Sequence, residues 1–348
     1  MTRVFITLDG DISSFHQLER SPYKHMLEQL RVLGEITPDL CTPAPEDVLV
    51  AFEPNREVLN FARSMQPDMG RRHMIVREPK IVRPDVYAKS ARSCFDWSWA
   101  LSPEWADELE AEVVATPLHI PDAKADLECS RWELRSPVPV LLLANKYSAI
   151  EGEMYWLRRA LMQESGRRGS PIDVIGSGWD VSQSGRVRKI LKASMTAMQS
   201  GHLPHVKWSD LSPRSGLPDT VRVVGTVHDK YSTLSGYQVA FVPENSCDWV
   251  SEKLLDAVVA GCIPIYVGGN LSDFDFPSGM CLTPEPTPEA LWDAAEEVLG
   301  WSWGRRKECL EIGQDFVHSV DFVKKWRNDH SLRELGSRIV SAVNAGSA

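Results

Sequence analysis

Glu252 and Lys253 stand side by side in the stretch Tyr237 to Gly269, YQVAFVPENSCDWVSEKLLDAVVAGCIPIYVGG. Leu254, Leu255, Val258 and Val259 recur after them at helical spacing and Gly261 follows, so the pattern predicts a helix from Ser251 to Ala260. The first turn of such a helix carries unpaired N–H groups and the positive end of the macrodipole, both of which favour an anion. Lys253 adds a mobile positive charge. Glu252 would repel a phosphate, but a carboxylate accepts hydrogen bonds from a vicinal diol such as ribose. One turn thus offers both halves of a nucleoside-diphosphate site; a solvated helix start is the plainer alternative.

The elements that must hold this turn are legible around it. Val239 to Val242 reads as a buried strand ending in a polar elbow, Pro243-Glu244-Asn245-Ser246, and Ile263 to Val267 is apolar throughout, as a strand covered on both faces should be. Further upstream, strand-like Val138 to Leu143, Ile172 to Ile175 and Val221 to Val224 alternate with helical patterns near Glu153 to Met162 and Arg186 to Met198. The first third shows the same alternation: Val4 to Leu8, a helix near Tyr23 to Leu33, Val48 to Phe52, a helix near Glu57 to Met65, then Met74 to Val76. Such alternation means parallel sheets with helices on both faces. The expected fold is α/β, with two Rossmann-like domains facing a cleft and ligands bound outside the carboxyl ends of the strands. The expected domains are 1–133 and 134–325, with 326–348 a C-terminal helix that can pack back on the first domain. The proline-bearing, charged stretch Ile120 to Pro139 reads as a linker.

The Tyr237 to Gly269 segment resembles the C-terminal signature of the α1,3-fucosyltransferases. In that signature a strand leads into E-N-S/T, then an aromatic-V-T/S-E-K helix start, then A-G-x-x-P-I-Y-x-G. The residues that carry the resemblance are Tyr237, Glu244, Asn245, Ser246, Trp249, Val250, Ser251, Glu252, Lys253, Ala260, Gly261, Pro264, Ile265, Tyr266 and Gly268. It implies a GT-B type architecture, with 1–133 on the acceptor side and 134–325 binding the nucleotide sugar, and an inverting, metal-independent transfer of fucose from GDP-fucose to a hydroxyl of an acceptor glycan, with no cofactor beyond the donor. By the same resemblance Asn245, Glu252 and Lys253 hold the ribose and phosphates, with Ser251 at the helix start and Trp249 where the family has tyrosine. Lys230, in Gly225-Thr226-Val227-His228-Asp229-Lys230, occupies the place of a donor-facing lysine. Arg158, on the helix after Leu143-Ala144-Asn145-Lys146, corresponds to an arginine used against the diphosphate, although Arg158 and Arg159 fall a turn late and a surface arginine pair is the alternative. Pro243 stands where many members have phenylalanine.

An inverting transfer needs a base to take the acceptor proton. Arg77-Glu78-Pro79 ends the strand Met74 to Val76, and relatives carry E-S-P or E-A-P there, so Glu78 is the expected base. Trp97, Trp99 and Trp105 follow it; their faces suit sugar rings, and ordinary packing is the alternative. The runner-up functions are a transferase of the same fold using another nucleotide sugar, such as a UDP-sugar, and a non-catalytic glycan-binding relative.

Composition narrows the field. With 38 basic and 48 acidic residues, a net charge of −10, the chain is not expected to bind nucleic acid, which requires clustered positive charge. Seven cysteines without a CxxC pair fit reduced thiols. No apolar run approaches the roughly 20 residues of a membrane span, and Val4 begins a strand where a signal peptide would continue, so a cytoplasmic location is expected, with peripheral membrane contact left open. Asp9-Gly10-Asp11 has metal-binding spacing but reads as a turn. His202 and His205 lack a third ligand, and Gly176-Ser177-Gly178 lacks the rest of a dinucleotide fingerprint. Neither the acceptor's identity nor the oligomeric state is legible.

Overall fold

Strands Val4 to Leu8, Val48 to Phe52 and Met74 to Val76 are buried along their whole length, and apolar but for Thr7, because each lies inside a sheet covered on both faces. The computed structural model describes residues 2–8, 23–67, 70–114, 123–179, 183–206, 217–327 and 330–346. Asp9-Gly10-Asp11 lies outside them, as does part of the Ile120 to Pro139 stretch. The contacts divide the chain into two units: Met1–Leu118 with Gln199–Gly201 and Val320–Ala348, and His119–Met198 with His202–Ser319.

In the first unit β1 (Arg3–Leu8), β2 (Glu35–Thr37), β3 (Val48–Phe52), β4 (Arg72–Val76), β5 (Trp97–Ala100) and β6 (Glu112–Val113) form one parallel sheet in the order β2-β1-β3-β4-β5-β6. The C-terminal helix His330–Gly346 belongs to this unit, and its Leu332, Leu335, Ile339 and Val343 share a core with Val4, Met26, Leu27 and Leu30. The three tryptophans here are packing residues in part: Trp99 and Trp105 are buried, and Trp97 stacks on Trp99 with ring centroids 6.1 Å apart.

In the second unit β7 (Val140–Leu142), β8 (Ile172–Ile175), β9 (Val221–Gly225), β10 (Val239–Pro243) and β11 (Ile263–Val267) form a parallel sheet in the order β11-β10-β7-β8-β9. The chain builds outward from β7 to β9, then returns to the other side of β7. The order therefore reverses between β7 and β10, and open α/β sheets bind ligands outside the carboxyl ends of the strands at such a reversal. The stretch expected to be a linker is only partly one. Its Trp132 is fully buried and donates its indole N–H to the Gly261 carbonyl at 2.8 Å, while Arg135 reaches the Ala260 and Gly261 carbonyls at 2.8 and 2.9 Å. These donors take up carbonyls that the end of the helix Glu252–Val259 leaves without intrahelical partners, a pairing that the local prolines and charges do not reveal.

Candidate functional site

Two loops leave the carboxyl ends of β10 and β11 side by side. The Glu244 N–H donates to the Val267 carbonyl at 2.8 Å, and the Gly269 N–H to the Trp249 carbonyl at 3.0 Å. The approach is close enough to demand glycine at position 268, where a Cβ would lie 2.2 Å from Tyr266 Oη and 2.6 Å from Glu244 Cγ. Tyr266 Oη donates between the Trp249 and Gly269 carbonyls, at 3.3 and 3.2 Å.

This packing buries Glu244 to 1% exposure. Its carboxylate accepts from the Ser251 N–H at 2.7 Å, from Ser251 Oγ at 2.8 Å and from Lys253 Nζ at 2.9 Å. Ser251 is the N-cap of the helix Glu252–Val259. The lysine also donates to Ser251 Oγ at 2.7 Å, so two of its three N–H donors are engaged and the third remains. Glu244 is thus the residue around which the helix start is assembled. Sequence reading put it in the elbow but gave it no role, because a glutamate beside Asn-Ser looks like loop surface until Tyr266 and Gly268 close over it.

Glu252 and Asp256, four residues apart on one helix face, both meet Lys230, at 4.0 and 3.5 Å. Burial pushes the Asp256 carboxyl up to about 6 against the pull of Lys230. Trp249 is 6% exposed and sets its indole edge-on to Phe274, centroids 5.3 Å apart, so its ring packs under the loop.

Arg158 and Arg159 are not a surface pair: they are 2% and 5% exposed. Arg158, on the helix Tyr155–Arg168, lies over the Tyr155 ring and donates to the Ala144 carbonyl at 3.1 Å, the Pro243 carbonyl at 3.3 Å and Asn245 Oδ1 at 2.7 Å. It therefore ties the chain leaving β7 to the chain leaving β10, at the reversal of strand order. Burial lowers its guanidinium to about 10, which leaves it charged at neutral pH. The late spacing that suggested a surface pair misleads because the Asn245 carbonyl and the Met154 N–H, 2.9 Å apart, lock the elbow against the start of this helix and bring the arginine under it. Three buried polar atoms around this reversal have no hydrogen-bond partner: Asn145 Oδ1, Arg158 Nε and Ser246 Oγ. Buried polar atoms are nearly always paired, so a cluster of unpaired ones marks where a ligand or water completes the bonding.

Gly176-Ser177-Gly178 shapes the same end of the sheet rather than a dinucleotide site. Gly176 has φ +137°, and a Cβ there would lie 2.5 Å from the Leu143 carbonyl oxygen. This close approach lets the Asn145 N–H reach the Ser177 carbonyl at 2.9 Å and Asn145 Nδ2 the Gly178 carbonyl at 2.9 Å.

Glu78 lies on the other unit, at the carboxyl end of β4. Its backbone is held twice: its N–H donates to Glu53 Oε1 at 2.9 Å, and its carbonyl accepts from Tyr87 Oη at 3.0 Å. Glu53, at the end of β3, was missed in the sequence, where it is one acid between an apolar strand and Pro54. It is 1% exposed, adopts φ +46°, and also accepts the Arg77 N–H, while Arg83 stands 3.7 Å from its second oxygen. Burial pushes its carboxyl up to about 7, against the opposing pull of these backbone N–H groups and of Arg83 and Arg77. The unfolded chain releases this proton near 4.5 and the folded chain keeps it to about 7, so this group's contribution to stability is complete below that window and declines as pH rises through it. Glu53→Gln, which keeps an acceptor for the two N–H groups, is expected to remove a pH-dependent loss of about 3 kcal/mol. Urea unfolding midpoints measured across the window check this, and an unchanged slope would mean that Glu53 does not titrate there.

Among the described residues no group of three or more His, Cys, Asp and Glu side chains is gathered as a metal ion requires, His202 and His205 included. Among the described residues no helix is long and apolar enough to cross a membrane.

No family model and no curated protein matches the sequence. Solved structures do match the fold. HepE from Anabaena, in its complex with UDP and glucose, superposes with a TM-score of 0.54 at 12% identity, over 98% of this chain and 100% of that one. An α1,3-fucosyltransferase superposes with a TM-score of 0.54 at 12% identity, over 98% of this chain and 89% of that one. For a sucrose-phosphate synthase from Thermosynechococcus elongatus the values are 0.51 and 12%, over the full length of both chains. At this identity the likeness shows the fold: two Rossmann-like parallel α/β domains, the GT-B architecture.

Proposed function

We propose that this chain is an inverting glycosyltransferase that moves fucose from GDP-fucose to a hydroxyl of an acceptor glycan. The observation that carries the reading is the assembly at the reversal of strand order in the second unit. There Glu244 aims Ser251 and Lys253 at the start of a helix, and Arg158 holds Asn245 beside unpaired buried polar atoms. Lys253, with one donor left, and the helix N-terminus meet the diphosphate. Glu252 accepts from the ribose diol, and Lys230, at the same helix face, is the next cation. Because Arg158 can only donate, it fixes the side-chain oxygen of Asn245 inward and leaves the amide N–H groups for the donor. Ser251 and Trp249 support the turn more than they contact the ligand.

In the reaction Glu78 takes the proton from the acceptor hydroxyl, the hydroxyl oxygen bonds to the sugar's anomeric carbon, and the bond from that carbon to GDP breaks in line. The charge that grows on the leaving diphosphate is met by Lys253 and the helix end.

The likeness to HepE, solved with UDP-glucose, favours a second reading in which the donor is a UDP-sugar. A nucleotide thermal-shift panel separates the two. At about a hundredfold excess over Kd a ligand adds roughly 2.7 kcal/mol to stability, which gives a clear rise in Tm. GDP is expected to produce that rise and UDP to produce little. A response to UDP alone would transfer the assignment to the second reading, and no response to either would leave a glycan-binding relative without a donor.

A further inference from the structure

The helix Gln183–Gln199 carries Arg186, Arg188, Lys189 and Lys192 and no acidic residue, in a chain whose net charge is −10. Its seating is thin, since among its described side chains only Ile190 and Ala197 are buried. Val187, Leu191, Met195 and Met198 recur at helical spacing on another face and are 38%, 59%, 56% and 57% exposed, and Leu203 just beyond the helix is 94% exposed. Surface helices of globular proteins turn charged groups outward and bury their apolar stripe, so a continuous exposed stripe calls for a partner. At about 100° per residue, Arg188 and Lys192 fall along one border of this stripe, and both are exposed. Lys189, by contrast, turns toward the Tyr147 ring, 6.0 Å from its centroid.

We propose that this helix docks on an anionic phospholipid surface, with Val187, Leu191, Met195 and Met198 in the acyl boundary and Arg188 and Lys192 on the headgroup phosphates. An apolar stripe bordered by cations is the pattern of helices that lie in a membrane interface, where buried apolar area and attraction to anionic lipid act together. The charge argues against a second copy of this chain as the occupant. An antiparallel twofold pairing through the stripe would bring the Arg188 and Lys192 borders of both copies together with no acidic residue on either helix to offset them. The inference does not depend on which nucleotide the second unit binds.

Co-sedimentation of the full chain with phosphatidylglycerol–phosphatidylcholine vesicles tests it, with pure phosphatidylcholine vesicles as the comparison. Binding is expected to the anionic vesicles, to weaken with salt, and to be absent on the neutral ones. Leu191→Glu with Met195→Glu is expected to abolish it. Arg188→Ala with Lys192→Ala, exposed changes that leave the buried face alone, is expected to weaken binding by about 25-fold, about fivefold for each cation, and to flatten its salt dependence. Failure of the unaltered chain to bind anionic vesicles, or binding that survives the Leu191 and Met195 changes, overturns the proposal. So does a concentration-dependent dimer, lost in those same variants, from a chain that ignores vesicles.

Discussion

Glu78→Gln is expected to lower kcat by about a thousandfold, within the usual range for loss of a general base, while the GDP-induced rise in Tm persists. The substitution removes the carboxylate that would accept the proton. The backbone at position 78 is fixed through its N–H to Glu53 and its carbonyl to Tyr87, and neither bond involves the Glu78 side chain. A glutamine of the same shape leaves both in place, so a loss of turnover reports on chemistry rather than on a collapsed loop. Single-turnover transfer from GDP-fucose to an acceptor, read with the thermal shift on the same preparation, gives the two quantities together. Turnover within a few fold of the unaltered chain would remove Glu78 from the mechanism and leave the proton's destination to another group.

The second large effect is expected at Lys253, where stability and catalysis must be separated. Lys253→Met is expected to cut turnover by about a hundredfold or more, the scale of one preorganised donor to a developing oxyanion. It also strips the cation from a carboxylate that is 1% exposed, and breaking a buried pair from one side costs about 3 kcal/mol. Inactivity of the single variant is therefore ambiguous by itself. Glu244→Gln with Lys253→Met removes both charges together and is expected to regain most of the lost stability, because an uncharged pair of similar size avoids the unpaired buried acid. Turnover is expected to stay low in that double variant. Recovery of turnover along with stability would reduce Lys253 to a structural partner of Glu244.

How much was readable before the fold was known depends on how local each signal is. The strand β11 and the helix after Ser251 appear where the apolar pattern places them, since a buried parallel strand and a one-sided helix each leave a periodic trace. Short edge strands such as β2 and β6 left none, being partly or wholly exposed and only a few residues long. Arg158 shows the opposite failure, in which a surface pair was the competing reading because its burial depends on an elbow 85 residues away. Glu53 and Glu244 are single acids in loops, and nothing adjacent distinguishes them from solvated ones.

Contacts between near neighbours along the chain suffice to specify the parallel α/β class, the strand-elbow-helix-strand unit from Tyr237 to Gly269 and the acid-lysine pair that opens its helix, so these were legible from residue order. Long-range packing is what buries Glu244 and bonds it to Lys253, sets Arg158 against Asn245 from a different helix, places Glu53 under the Glu78 backbone and leaves one helix with an exposed apolar stripe. Burial and hydrogen-bond partnership are set by elements distant in sequence, and a residue's own type and neighbours do not carry that information.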